Sequence, residues 1–342
     1  MILAGDIGGT KTLLALYNNS GKTNLYQHRY ISNTYPTFDQ LLHEFLSSAK
    51  EHCTEQFSAA GFGIAGPITG QPGRQQVNAT NLPWTMDSAA LSHQLNNAPV
   101  IFANDLVASG TAAITSTPQQ RISLNTPPHG PINPQQHIAV IAAGTGLGEA
   151  LFYFDGQRHQ PMPTEGGHGS FAPNNPVEDQ LLIYMRKQLG GHVSYERILS
   201  GKGFVHLYNF ARDSGLASEN PNVAAELAKA NDPSVTITQH GCAGSDPLCI
   251  IVCQLFARLY GAEAGNLALK SLPFGGLFIA GAIAGHILPF MQSQFMSGFL
   301  DKGRFTELLR QIPVWITSEP TLALQGAAQL AAELSCVAHK NG

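Results

Sequence analysis

Two short apolar runs open the chain, Ile2-Leu3-Ala4 and Leu13-Leu14-Ala15-Leu16-Tyr17, on either side of Gly5-Asp6-Ile7-Gly8-Gly9-Thr10. Runs of this length bounded by glycine predict two strands joined by a tight loop, the second strand over Thr12–Tyr17. The pattern returns about 137 residues later: apolar Ile138–Ala142, the loop Ala143-Gly144-Thr145-Gly146-Leu147-Gly148, then Ala150–Phe154. Between these units the period changes to that of a helix. Phe38, Leu41, Leu42, Phe45, Leu46 and Ala49 share one face behind Thr37, with Gln40 completing a capping box. A further strand, Val100–Ala103, ends at Asn104-Asp105. In the second half Asn175 caps a helix that starts at Pro176 and closes at Gly190, with Val177, Leu181, Met185 and Leu189 as its apolar face. A long helix is predicted over about Leu248–Lys270, and a last one over about Leu322–Leu334, assigned to the first domain. Ser116–His137 holds five prolines and one charge, Arg121, and reads as an irregular boundary. Strands alternating with helices in both halves predict an α/β protein. The expected domains are residues 1–115 with 320–342, a small α/β domain, and residues 116–319, a large one.

Length and charge narrow the classes. A chain of 342 residues fits about two domains and buries a sizeable core without staples. Its net charge of −4, with no basic run, argues against a nucleic-acid partner and against a polybasic membrane anchor. Cys53, Cys242, Cys249, Cys253 and Cys336 lack the spacing of a disulfide framework or of a structural zinc site, so a reducing, cytoplasmic setting is expected. Met1 runs directly into Ile2-Leu3-Ala4, which does not read as a signal peptide. Ser271–Leu300 has no Asp, Glu, Lys or Arg, but Pro273, Pro289 and several glycines interrupt it. It reads as a buried strand, a glycine turn and a helix rather than a membrane span.

Two glycine strings mislead. Gly5-Asp6-Ile7-Gly8-Gly9-Thr10-Lys11-Thr12 is one residue from a P-loop, but a strand follows where a P-loop opens a helix. Gly61-Phe62-Gly63-Ile64-Ala65-Gly66 matches GxGxxG, but Pro67 follows and no helix does, so a strand ending in a turn is the better reading. Taken singly, the two repeated loops fit ordinary hairpins as well as they fit phosphate loops. Their backbone N–H groups and threonine hydroxyls suit phosphate oxygens. A carboxylate among phosphates requires a cation, so Asp6 implies Mg²⁺, directly or through its waters.

Gly5-Asp6-Ile7-Gly8-Gly9-Thr10 resembles the first phosphate loop of the hexokinase/actin-like ATPase superfamily, and Ala143-Gly144-Thr145-Gly146-Leu147-Gly148 the second. Phe278-Ile279-Ala280-Gly281-Ala282-Ile283 resembles its adenosine motif. Asn104-Asp105, Glu165-Gly166-Gly167-His168 and the stretch from His192 to Gly201 are similar to the pattern of the bacterial glucokinase family. Thr80-Asn81-Leu82-Pro83-Trp84, Asp301-Lys302-Gly303-Arg304-Phe305 and Gly326-Ala327-Ala328 fit it too. Lys11 stands where many of these enzymes carry Asn, and Ala282 replaces the second glycine of the adenosine pair. The cysteine cluster of the zinc-containing ROK (repressor, open reading frame, kinase) sugar kinases is absent from the sequence.

The resemblance implies a two-domain actin-like ATPase (ribonuclease H-like) fold, with a duplicated βββαβα core and an interdomain cleft closing on the sugar. It implies ATP-dependent phosphorylation of D-glucose at the 6-hydroxyl, with ATP and Mg²⁺ required, and a homodimer. Asp105, beyond the carboxyl end of a strand, is the candidate general base. Asn104, Asp105, Glu165, His168 and Glu196 form the candidate sugar site, Glu196 chiefly by resemblance. Asp6, Gly8, Gly9, Thr10, Gly144, Thr145 and Gly281 form the candidate ATP site. The rival readings are a kinase of mannose, fructose or an amino sugar, and a non-catalytic sugar-responsive regulator. A repressor would need a DNA-binding helix-turn-helix ahead of the first loop, where only five residues precede Asp6.

Overall fold

The computed structural model describes residues 1–52, 55–128, 133, 135–317 and 319–338; Cys53 lies outside them. It forms two compact units, Met1–Ser116 with Thr321–Gly342, and Thr117–Pro320. In the first, β1 (Ile2–Ile7), β2 (Lys11–Tyr17) and β3 (Asn24–Ile31) make an antiparallel meander. β4 (Ala59–Ile64) then runs parallel to β1. A small sheet of β5 (Ile68–Thr69), β6 (Gln76–Asn78) and β7 (Thr85–Asp87) intervenes, and β8 (Val100–Asn104) runs parallel to β4. The strand order is β3-β2-β1-β4-β8.

Because side chains alternate across a strand, this sheet feeds two cores. Leu3, Leu14 and Leu16 pack with Phe38, Leu41, Leu42 and Phe45 of the helix Phe38–Ser48, whose first turn is capped by Thr37. Ile2, Ala4, Leu13 and Ala15 pack with Leu324, Ala327, Ala328 and Ala331 of the helix Leu322–Ala338. The close approach of helices to this face explains the GxG of the decoy string. A β-carbon on Gly61 would run into the Ala327 carbonyl, and one on Gly63 would lie 3.1 Å from Ala108 Cβ in the helix Asp105–Thr115. These glycines thin the sheet for its helices.

The second unit repeats the plan. β9 (Arg121–Ser123) precedes the meander β10 (Ile138–Ala143), β11 (Leu147–Phe154) and β12 (His159–Thr164). β13 (Gly276–Ala280) and β14 (Val314–Thr317) extend it in parallel, giving the order β12-β11-β10-β13-β14-β9. A meander followed by two parallel strands thus occurs twice in one order, which is the duplicated α/β core the repeat predicts. Three details differ from expectation. The segment Ser116–His137 is not wholly irregular, since β9 pairs with β14 and Arg121 lies over the rings of Phe278 and Trp315; three residues between prolines are too few to register as a strand. The second hairpin is tighter, β11 beginning at Leu147. The helix expected after Gly281 is broken into Ala282–His286, Leu288–Phe290, a π-helical turn Met291–Phe295, and Met296–Leu300. Pro289 cannot donate to the preceding turn, which accounts for the break.

The helix Pro247–Ser271 is long and apolar enough to cross a membrane, yet most of it is buried as the core helix of this unit. Phe256 stacks on Phe204 at 4.0 Å. The Tyr260 hydroxyl accepts from the Ala143 N–H at 3.0 Å and donates to the Ile141 carbonyl at 3.3 Å, fixing β10 just before its glycine loop. Cys242, Cys249, Cys253 and Cys336 are free thiols, and burial pushes the Cys253 thiol up to about 12, leaving it inert.

Candidate active site

In the first unit the parallel strands end together. Register pairs Asp6 with Gly63 and Gly63 with Ala103, while Ile7, Ile64 and Asn104 form the next row. Asp6, Asn104 and Asp105 therefore gather at the carboxyl edge of the sheet, where open α/β folds bind ligands. Asn104 caps the helix Asp105–Thr115 by accepting from the Leu106 N–H at 3.0 Å, and Asp105 Oδ1 accepts from the same N–H at 2.8 Å. Asp6 is held differently: burial, then repulsion from Asp105, push its carboxyl up to about 6, against a smaller opposing pull from Arg29.

The loop after Asp6 is pinned from beneath. The Gly8 N–H donates to the Lys11 carbonyl at 3.1 Å, and the Ser32 N–H donates to the Thr10 carbonyl at 3.0 Å. Ser32 Oγ donates to the Gly8 carbonyl at 2.7 Å and lies 3.0 Å from Thr12 Oγ1. A β-carbon on Gly9 would sit 3.2 Å from Asn81 Cβ, and Asn81 itself adopts φ 63°. Arg29 escapes sequence reasoning because β3 is largely exposed and carries no apolar alternation, and Ser32 because the three-residue turn it opens, Ser32–Thr34, has no pattern to read. Asn81 lies within the Thr80–Trp84 string, whose pattern was visible without a role.

In the second unit Gly144, Thr145 and Gly146 form the β10–β11 turn. The Gly144 carbonyl accepts from the Gly201 N–H at 2.9 Å, and Glu196 Oε2 accepts from the Leu147 N–H at 3.1 Å. A β-carbon on Gly146 would strike that carboxylate. Glu165, Gly166, Gly167 and His168 make one tight turn after β12, with the His168 N–H donating to the Glu165 carbonyl at 3.0 Å. An antiparallel bridge between Ser170 and Ser194 aligns this turn with Tyr195-Glu196. His168 consequently lies between two acids, Nδ1 being 3.9 Å from Glu196 Oε1 and Nε2 being 3.9 Å from Glu165 Oε2. Glu165, 85% exposed, presents its carboxylate to solvent. Gly281, with φ 85°, ends β13 against the Ala143 carbonyl, beside the glycine turn.

The structure thus brings Asp6, Gly8, Gly9, Thr10, Asn104 and Asp105 together in one unit, and Gly144, Thr145, Glu165, His168, Glu196 and Gly281 together in the other. Among the described residues no cluster of three or more His, Cys, Asp or Glu suits a metal ion. A half-buried carboxylate beside a second acid, with few protein ligands, suits Mg²⁺, which keeps waters and takes substrate phosphates as ligands.

The sequence model of the Glucokinase family matches residues 3–334. The chain belongs to the glucokinase family. A glucokinase of Nostoc sp. is 40% identical, spanning 98% of this chain and 99% of its own, and one of Synechocystis sp. is 36% identical over 97% and 98%. Among solved structures, a glucokinase from an Antarctic psychrotroph is 28% identical with a TM-score of 0.80, covering 97% of this chain and 98% of its own. A ROK family glucokinase from Streptomyces griseus, solved with glucose and AMPPNP, is 19% identical with a TM-score of 0.65, covers 97% and 99%, and shares the fold. Of the two departures of this glucokinase-family chain, Lys11 opens β2 and is exposed, and Ala282 is exposed at the start of its five-residue helix.

Proposed function

We propose that the protein transfers the γ-phosphoryl group of ATP to the 6-hydroxyl of D-glucose, with Asp105 as general base. The observation that carries this reading is the placement of Asp105 at the carboxyl edge of the first sheet, as the first residue of a helix and beside Asp6. In the proposed step Asp105 accepts the hydroxyl proton as that oxygen attacks the γ-phosphorus, and the bond to the β,γ-bridging oxygen breaks to release ADP. The backbone N–H groups of Gly9, Thr10 and Thr145 would hold phosphate oxygens, while Gly8 and Gly144, whose N–H groups close the two turns onto the Lys11 and Gly146 carbonyls, would shape the loops, with Gly281 beside the nucleotide. Asp6 would hold Mg²⁺ through its waters. The ion, when bound, neutralises charge on the phosphates. Asn104, Glu165, His168 and Glu196 would orient the sugar. The resemblance also leads us to propose a cytoplasmic homodimer. A panel of hexoses with ATP and Mg²⁺, read by ADP release, tests the function; glucose should give the highest kcat/KM, and a clear preference for mannose, fructose or an amino sugar would refute the assignment.

Glu165→Gln and His168→Ala should each raise the KM for glucose, by about 1–3 kcal/mol of lost binding, because the first replaces a charged acceptor with a weaker neutral one and the second removes a hydrogen-bonding ring in a desolvated complex. Binding of an ATP analogue should stay nearly intact. Calorimetry with each ligand checks this, and a loss confined to the nucleotide would move both residues out of the sugar site.

A further inference from the structure

Beneath the turn that carries Glu165 and His168 lies a second pair of acids that the proposed chemistry does not use. Glu149 on β11 and Glu263 on the helix Pro247–Ser271 are each only 2% exposed. Their carboxyl groups come within hydrogen-bonding reach of each other. Two carboxylates bond in this way only when one of them holds a proton. Glu149 Oε1 is buried with no hydrogen-bond partner of its own among the described residues. Both ends of the pair reach the candidate sugar residues. On one side, Gly166 sits so tightly over Glu149 that a β-carbon there would strike its Oε2. The Glu149 carbonyl accepts from Thr164 Oγ1 at 2.9 Å, and Thr164 Oγ1 accepts from the Gly166 N–H at 3.1 Å. On the other side, Asn266 Nδ2 donates to Glu263 Oε2 at 2.8 Å and to the Tyr195 hydroxyl at 3.1 Å, directly before Glu196. Lys302 Nζ donates to Asn266 Oδ1 at 2.7 Å and to the Ala262 carbonyl at 2.9 Å, which gives the Asp301–Phe305 string a structural task.

We propose that Glu149 is a positioning residue, whose shared proton with Glu263 holds the Glu165–His168 turn in register with Glu196 for sugar binding. The inference rests on the function proposed above. Burial and Glu263 push the Glu149 carboxyl up to about 8. The charged and titratable groups around the pair are Lys270, which opposes that rise, Lys302 on the Glu263 side, and the hydroxyls of Tyr195 and Tyr260. A cavity of about 370 Å³ lined by Tyr195, Glu263, Asn266 and Lys270 reaches Glu263 and admits water for proton exchange. Glu149 therefore stays neutral at neutral pH, and ionisation of the pair in the alkaline range puts uncompensated buried charge under the turn.

Three chains decide the matter: wild type, Glu149→Gln and Glu149→Ala. Glu149→Gln replaces the neutral acid with a neutral amide that still donates, so its KM for glucose at pH 7 should stay within about threefold of wild type. The wild-type KM for glucose should climb above pH 8 while the KM for ATP does not, and in Glu149→Gln that climb should vanish. Glu149→Ala leaves a hole under Gly166 and should raise the glucose KM by about tenfold or more at every pH. Persistence of the alkaline climb in Glu149→Gln, or a glucose KM as high as that of Glu149→Ala at pH 7, overturns the proposal. If the wild-type protein does not phosphorylate glucose, it is the function that fails. Hydrogen exchange then reads the device directly, with the amides of residues 165–168 expected to lose protection between pH 7 and pH 9 in wild type and to keep it in Glu149→Gln; equal loss in both overturns it.

Discussion

Asp105→Asn should lower turnover by about 10²–10⁴ while leaving the affinity for glucose nearly unchanged. The substitution is close to isosteric. Both backbone interactions at this position survive it, because the Leu106 N–H still meets an oxygen from Asn104, and the new amide offers an oxygen where Oδ1 stood. The amide is too weak a base to take the hydroxyl proton. Loose transition states for phosphoryl transfer would place the loss toward the lower end of that range. Turnover is measured at saturating glucose and ATP, and glucose binding by calorimetry. A folded variant that retains more than about a tenth of wild-type turnover has lost no base. One that loses only glucose affinity identifies Asp105 as a sugar-holding residue.

Asp6→Asn should trade activity for stability. Its carboxyl is pushed up to about 6 from its ordinary 3.8 by burial and by Asp105, so the ionised form costs folding free energy at neutral pH. A raised acid pKa means that the folded chain holds the proton more tightly than the unfolded one. The stabilisation is fully present below about pH 3.8 and is lost as pH rises through about 6. The metal-free variant should therefore be more stable than wild type at pH 7, by roughly 1–3 kcal/mol, and the advantage should disappear on acidification to about pH 4. Turnover at limiting Mg²⁺ should meanwhile fall by roughly 10–100-fold, the usual cost of losing a group that orients a metal's ligands. Thermal melting across pH and a magnesium titration of the rate test the two halves separately. A variant less stable at pH 7, or a collapse of glucose affinity with an unchanged magnesium dependence, would contradict the assignment.

Much of this was legible in the chain, for reasons that differ by residue. The two strand–glycine–strand units were readable because a central parallel strand buried on both faces must be continuously apolar, as Ile2-Leu3-Ala4 and Ile138–Ala142 are. Asn104-Asp105 stood out as the polar end of such a run. β3 and β12 were not readable, since as edge strands they carry mostly exposed residues. Arg29 was lost with β3 and Ser32 with the short turn after it, although Ser32 ties down the first loop and the charge of Arg29 acts on Asp6. Glu149 was hidden for another reason: a lone acid in an alternating strand reads as a solvent-facing residue, and only the fold places Glu263 against it. Gly61 and Gly63 mimicked a nucleotide fingerprint because tight helix packing and phosphate binding both require a missing side chain.

The helix Leu322–Ala338 follows the last strand of the second sheet yet covers a face of the first. During synthesis Ile2, Ala4, Leu13 and Ala15 leave the ribosome and await partners made more than three hundred residues later. At roughly 5–20 residues per second that delay is on the order of tens of seconds. Of the two units, the first is therefore the one whose folding is completed last. Until then one side of its sheet presents apolar strands to the cell, and a chain stopped before Thr321 should be captured by chaperones or aggregate rather than accumulate as a folded fragment.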